Sequence, residues 1–209
     1  MKVLAYGHQR IVLARRIRVL KALAADLLPA GASVLDVGCG DGSLTRALEV
    51  QRPDLAIRGL DTLIRSGAKI PVQPYDGVTL PFDDHSLDVV MFVDVLHHTH
   101  DPEGLVREAA RVAREAVLIK DHTCESLLDQ ATLHLMDWVG NRPHGVALPY
   151  NYLSEREWRA IFERAGLRPA ICRRDIDLYP WPASLVFGRA LHFVTLLRRH
   201  RPERDERFP

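Results

Sequence analysis

VLDVGCGDG, residues 34–42, is the stretch whose reading decides the fold. An apolar run passes through Asp36 into Gly38, Gly40 and Gly42, spaced G-x-G-x-G, with Cys39 and Asp41 between them. The aliphatic residues ahead of the glycines read as a strand covered on both faces. The glycines read as a tight strand-to-helix turn, where backbone can approach a ligand that side chains would hold off. The helix opening from such a turn is expected to aim free N–H groups and the positive end of its dipole at that ligand. The plainer alternative is that the glycines serve the turn alone.

Outward from this turn, strands and helices alternate. Residues 55–61 read as a second strand, 72–76 as a short third, 87–95 (LDVVMFVDV) as a central fourth and 116–120 (AVLIK) as a fifth. Helices are expected at 9–28, 43–50 and 102–115. The first carries Val12, Leu13, Ile17, Leu20, Ala24 and Leu27 at helical steps, and the last has Pro102 in its first turn. This rhythm predicts an α/β fold, doubly wound and Rossmann-like, with a mostly parallel central sheet and helices on both faces. Beyond Asp121 the rhythm changes. A helix at 125–140 carries Leu128, Ala131, Leu135 and Val139 on one stripe, and NRPHGVALPYNY (141–152) follows as a polar and aromatic loop. Ser154-x-x-Glu157 is a capping box, opening a helix with Trp158, Ile161, Phe162 and Ala165 inward and Gly166 as its stop. Residues 167–176 and 191–197 are strand-like, joined through Pro180 and Pro182, and the second fits a helix equally well. The domain reading is an N-terminal helical cap (1–31), a main domain (32–197) whose segment 121–165 forms a lid over the substrate pocket, and a frayed tail (198–209).

Composition narrows the function. The 209 residues are 47% hydrophobic and 26% charged with a net charge of +1, ordinary for a globular chain and without a global pull toward nucleic acid or anionic membrane. The arginine clusters Arg15–Arg16–Arg18, Arg173–Arg174 and Arg198–Arg199–Arg201 read as solvated faces. Cys39, Cys124 and Cys172 form no C-x-x-C pair, which suits a reducing compartment and gives no zinc site. Cys39 reads as a small side chain tolerated in the turn rather than a nucleophile. MKVLAYGHQR lacks a signal-peptide core, and the apolar run 89–96 is interrupted by Asp94 and too short to span a bilayer. A cytoplasmic protein is expected.

Asp61 ends the second strand about 20 residues past the glycine turn, the spacing at which a carboxylate reaches ribose hydroxyls. The alternative is a solvated strand-end aspartate. Together these residues resemble motif I and its neighbour in the class I S-adenosylmethionine-dependent methyltransferases. Gly42 comes one residue too early for the dinucleotide pattern G-x-G-x-x-G, which speaks against a nicotinamide-dependent oxidoreductase. Tyr75-Asp76-Gly77 and the following LPFDDHSLDVVMFVDVLHH are similar to the D-x-x-x-L-P-F-x-D-x-S-x-D stretch of the subfamily that includes quinone and other small-molecule enzymes. Arg107-Glu108-Ala109-Ala110-Arg111-Val112 matches that family's helix before the fifth strand. The resemblance covers residues 34–120 well. One departure is Ala113-Arg114-Glu115 in place of Pro-Gly-Gly before the fifth strand, which a helix running almost directly into that strand would satisfy.

The resemblance implies S-adenosylmethionine as cofactor. It implies contacts from the turn (Asp36, Gly38, Cys39, Gly40, Gly42), from Asp61 and Thr62, from Asp76 and Gly77 at the adenine amino group, and from Asp94 and Val95 at the methionine end. The implied function is O-, C- or N-methylation of a small-molecule acceptor by in-line displacement, where the protein supplies mainly orientation. The alternative is a non-catalytic S-adenosylmethionine-binding regulatory or partner-binding protein. An acceptor that must lose a proton needs a base, and His98 and then His97 are the candidates; a loop-shaping histidine is the alternative. Trp138, Asn141, His144, Tyr150, Asn151 and Tyr152 are expected to wall the acceptor pocket, or else to pack as a lid on itself. Tyr6, His8 and Arg10 could reach the methionine carboxylate. His97, His98, His100, Asp101, Asp121 and His122 crowd neighbouring strand ends, where catechol-type methyltransferases place a divalent ion. No pair has helical i, i+4 metal spacing, and no metal is expected. The fourth strand ends Asp94-Val95-Leu96-His97 rather than [DN]-P-P-[YFW], which argues against base-flipping nucleic-acid modification. The expected partner is therefore a small-molecule acceptor, with no nucleic acid and no integral membrane segment. Peripheral lipid contact and oligomeric state are left open.

Overall fold

The computed structural model describes residues 2–141, 151–174, 176–181, 183–187 and 191–199. In chain order the elements are α1 (Lys2–Leu27), β1 (Ser33–Val37), α2 (Ser43–Gln51), β2 (Ala56–Asp61), β3 (Val72–Pro74) and β4 (Leu87–Val93). A 3-10 turn (Leu96–His98) precedes α3 (Pro102–Val112), β5 (Ala113–His122), α4 (Leu127–Asn141), α5 (Glu155–Arg164), β6 (Leu167–Arg173), α6 (Ala183–Phe187) and β7 (His192–Arg199). The seven strands form one sheet in the order β3-β2-β1-β4-β5-β7-β6. The first five pair in parallel, and β7 runs antiparallel to both β5 and β6.

Strand alternation builds two cores from one sheet. Leu35, Val37, Val90, Phe92, Val117 and Ile119 point to one face, where Leu105, Val106 and Ala109 of α3 meet Trp158, Ile161 and Phe162 of α5. Val34, Val89, Met91, Ala116 and Leu118 point to the other, covered by Leu20, Ala24 and Leu27 of α1 and Leu48 of α2. Both faces are covered, as the unbroken apolar strands require. The same alternation places Lys120 on the α1 side and Asp121 on the α3–α5 side.

Local chemistry sets the boundaries. Asp101 caps α3, accepting from Gly104 N at 2.8 Å ahead of Pro102. The α5 capping box forms as its residues predict, with Ser154 and Glu157 bonded reciprocally. The helix-to-strand passage replacing Pro-Gly-Gly is direct: α3 ends at Val112 and β5 begins at Ala113. Residues 192–197 belong to a strand rather than a helix, paired with β5 on one side and, from Val194, with β6 on the other. That strand extends to Arg199, two residues into the stretch expected as tail, and residues 200–209 lie outside the described residues. α6 between Pro180 and β7 was not expected. Among the described residues no helix is long and apolar enough to cross a membrane.

Candidate cofactor and acceptor site

The glycine turn sits at the carboxyl ends of β1 and β2, where parallel sheets bind ligands. Gly38, Gly40 and Gly42 all have positive φ (73°, 62° and 71°). A Cβ at Gly38 would lie 2.5 Å from Val95 Cγ2, and one at Gly42 2.4 Å from Ile70 Cγ1. Those two glycines are therefore required by the protein's own packing. Gly40 differs: its Cβ position is open except for the Arg65 guanidinium carbon at 3.8 Å. This open side beside Asp61 is what a close-packed adenosyl group needs, so the residues fit such a cofactor.

Within the turn, Gly38 N and Cys39 N donate to Leu60 O at 2.7 and 3.1 Å, Gly42 N to Cys39 O at 3.0 Å, and Ser43 N to Asp41 Oδ1 at 3.0 Å.

Asp61 is buried, its Oδ2 accepting from Gly40 N at 2.8 Å and its Oδ1 from Leu63 N at 2.9 Å. One carboxylate thus ties the end of β2 to the middle of the glycine turn. Asp36 stands behind it at the end of β1. It is buried, and the Thr45 hydroxyl of α2 donates to its carboxylate. Burial pushes its carboxyl up to about 7, against the Thr45 hydrogen bond and with the charge of Asp61 adding to the rise. Burial likewise pushes the Cys39 thiol up to about 12, with the charges of Asp36 and Asp61 adding, so the thiol is no nucleophile at neutral pH.

Asp76 is exposed beyond β3, and its Oδ1 accepts from Val78 N and Thr79 N, both at 2.8 Å. Those hydrogen bonds hold its carboxyl below the usual range. Thr62 and Gly77 meet at the same strand ends, where a Cβ on Gly77 would lie 3.2 Å from Thr62 Cγ2.

Past β4 the chain turns sharply at Asp94, a non-glycine residue at φ 56°. Its side chain is 7% exposed and takes charged hydrogen bonds from Arg16 of α1 and Lys120 of β5. Burial opposes the charged carboxylate, but the charges of Arg16, Lys120, His122 and His97 hold Asp94 well below the usual range. Lys120, buried and 3.2 Å from His192 Nδ1, is lowered from its ordinary value by burial despite Asp94. On the opposite face Asp121 is fully buried. It accepts from His97 Nδ1 at 2.6 Å, Leu96 N at 3.1 Å, His122 N at 2.8 Å and His122 Nδ1 at 3.3 Å. Burial opposes its charge, yet the two imidazoles hold its carboxyl below the usual range.

The His97 ring is 2% exposed and lies 3.9 Å from that of His98, 4.7 Å from that of His122 and 6.1 Å, stacked, from that of Tyr152. Asn151 donates its backbone N to His97 O at 3.2 Å and its Nδ2 to Thr99 O at 2.5 Å, so two of the expected pocket residues border this dyad. Trp138 and Asn141 lie in α4, with side chains outside the described set, and His144 and Tyr150 lie outside the described residues. The side chains of Tyr6, His8 and Arg10 are likewise outside the described set. Of the six residues weighed for a metal, His97, Asp121 and His122 bring donor atoms within 4.8 Å of one another. Asp101 is spent as the α3 cap.

Arg16, Lys120 and His192 were missed. Arg16 stood in a cluster read as solvated, and Lys120 ended a strand read for its apolar residues alone. A lysine and an aspartate closing an apolar parallel strand were the available signal, since that end faces the ligand crevice.

Comparison with known proteins decides the family. The model of a methyltransferase domain matches residues 6–170. The chain belongs to the methyltransferase-domain family. Its fold is shared with solved S-adenosylmethionine-dependent methyltransferases. It is 26% identical over 144 residues to the ubiquinone/menaquinone biosynthesis C-methyltransferase UbiE of Cupriavidus taiwanensis, covering 60% of this chain and 59% of the relative. The chain thus spans 59% of that relative's length. It is 33% identical over 104 residues to the 27-O-demethylrifamycin SV methyltransferase of Amycolatopsis mediterranei, covering 43% and 38%. A SAM-dependent methyltransferase of Thermotoga maritima shares the fold, with TM-score 0.65 and 20% identity over 93% of this chain and 96% of that one.

Proposed function

We propose that this methyltransferase transfers the methyl group of S-adenosylmethionine to a small organic acceptor by in-line displacement. The observation that carries the reading is Asp61 fastened to Gly40, whose side is open where those of Gly38 and Gly42 are filled by Val95 and Ile70. When bound, S-adenosylmethionine supplies a methyl activated by its sulfonium. Asp61 and Thr62 are assigned to the ribose, Asp76 and Gly77 to the adenine, and Gly38, Gly40 and Gly42 to close approach. Asp94 and Val95 line the methionine end, with Arg16 and Lys120 fixing the Asp94 carboxylate.

The acceptor enters beside His97, His98, Asn151 and Tyr152, with the segment 121–165 as its wall and residues 1–31 as the cap. The relatives named for quinone biosynthesis and for demethylrifamycin support a small organic acceptor. The free thiols of Cys39, Cys124 and Cys172 suit a reducing, cytoplasmic setting. The test pairs calorimetry with S-adenosylhomocysteine and transfer of a labelled methyl group to a panel of phenols, quinols, carboxylates and amines. Binding with label transferred supports the reading. Binding with no transfer to any class favours a cofactor-binding regulator, and no binding removes the reading altogether.

A further inference from the structure

Residues 62–71 join two parallel neighbours, β2 and β3, without the helix that such a crossover usually carries. The connection is pinned to the glycine turn instead. Leu63 N donates to Asp61 Oδ1 at 2.9 Å, Lys69 N donates to Asp41 O at 2.7 Å, and Ile70 packs against Gly42 and Gly59. Between these anchors Arg65 lies across the turn. Its guanidinium carbon stands 3.8 Å, and its Nη2 4.0 Å, from the Cβ position of Gly40. The residue is half-buried, so a ligand can reach it, while its Nε is buried without a hydrogen-bond partner. A buried N–H with nothing to donate to costs stability that an acceptor oxygen would restore.

We propose that Arg65 is a cofactor-binding residue, closing over the adenosyl group at Gly40 and donating to its ribose oxygens. This rests on the methyltransferase reading and deepens it. Each ribose hydroxyl has one proton to give and lone pairs to fill. The Asp61 carboxylate takes the protons but can donate nothing in return. The N–H groups of Gly38, Cys39, Gly40 and Gly42 are already spent, on Leu60 O, Asp61 Oδ2 and Cys39 O. Donors for the ribose oxygens must therefore come from a side chain, and the Arg65 guanidinium is the one laid against the open glycine. The methionine carboxylate is the competing partner for this cation. It fits less well, because Arg65 stands at Gly40 beside Asp61, whereas the methionine end is assigned to Asp94 and to Val95, which packs on Gly38.

The experiment is calorimetry on the full chain with two probes, S-adenosylhomocysteine and 5′-methylthioadenosine, which lacks the amino-acid end. Wild type is compared with Arg65→Ala, Arg65→Gln and Arg46→Ala, the last removing an exposed cation of α2 paired with Glu49. Both Arg65 variants are expected to lose roughly ten- to a hundredfold in affinity for both probes, the range for charge-assisted hydrogen bonds. Arg46→Ala is expected to stay within about twofold, as an exposed charge should. Unchanged affinities in the Arg65 variants overturn the proposal. A loss for S-adenosylhomocysteine alone also overturns it, since that places the guanidinium on the methionine carboxylate. An equal loss in Arg46→Ala does the same, because the effect is then one of general charge. If Arg65→Ala fails to fold, Arg65→Gln decides. Wild type that binds neither probe removes the methyltransferase reading itself, whereas wild type that binds no better than its Arg65 variants removes the role of Arg65 alone.

Discussion

At the scale of single residues, Asp61 and Asp36 show how one residue type takes opposite tasks from its surroundings. Asp61 receives two backbone N–H groups and stays at the crevice, while Asp36, 2% exposed, faces the hydroxyl of Thr45. Replacing Asp61 by alanine removes charge-assisted hydrogen bonds to ribose and releases Gly40. Calorimetry with S-adenosylhomocysteine is expected to show a loss of about 1.5–3 kcal/mol, and unchanged affinity would take Asp61 out of the ribose role. Asp36, raised from 3.8 to about 7, favours the folded protein in its protonated form. Its contribution is complete below pH 3.8 and is lost as the pH rises toward 7. Asp36→Asn mimics the protonated acid, so its melting temperature relative to wild type is expected to rise from acid to neutral pH and level off above. A constant difference between pH 4 and pH 8 would contradict the assignment.

At the scale of elements, the strand ends and helix caps carry most of the local information. The α5 capping box was legible from Ser154 and Glu157 alone, because its hydrogen bonds join residues three apart in sequence. Ser154→Ala is expected to cost about 1 kcal/mol in chemical denaturation with S-adenosylhomocysteine affinity unchanged. β5 began three residues earlier than its apolar run indicated, since Arg114 and Glu115 are exposed at its start. Its far end held more than the run showed. Lys120 is 3% exposed and bonded to Asp94, so Lys120→Met leaves a buried carboxylate short of one partner. The expected loss is about 3 kcal/mol, at the low end for a broken buried pair because Arg16 remains. A fully retained stability would show that the pair contributes nothing net. β7 could not be told from a helix by pattern, because residues 191–197 are buried on both faces and give no alternation.

At the scale of the whole molecule, the sheet explains which placements spacing could carry and which it could not. The glycine turn, Asp61 and Asp76 sit on consecutive strand ends in a span of about 40 residues, so spacing alone places them together. The second half is assembled over distance: Arg16 meets Asp94, Asp94 meets Lys120, and Lys120 meets His192 across the antiparallel register of β5 and β7. No local pattern announces such contacts. Because the site joins α1 to β1, β2, β4 and β5, a bound ligand should brace the entire sheet. S-adenosylhomocysteine at a hundred times its dissociation constant is expected to add about 2.7 kcal/mol, read as a raised melting temperature, and an unmoved transition would mean that it does not bind the folded chain. Calorimetric titration of the purified full chain with S-adenosylhomocysteine, set against NAD, tests the central claim most directly. Saturable binding of one S-adenosylhomocysteine per chain with no heat from NAD is the result predicted, and binding of NAD alone, or of neither, would contradict it.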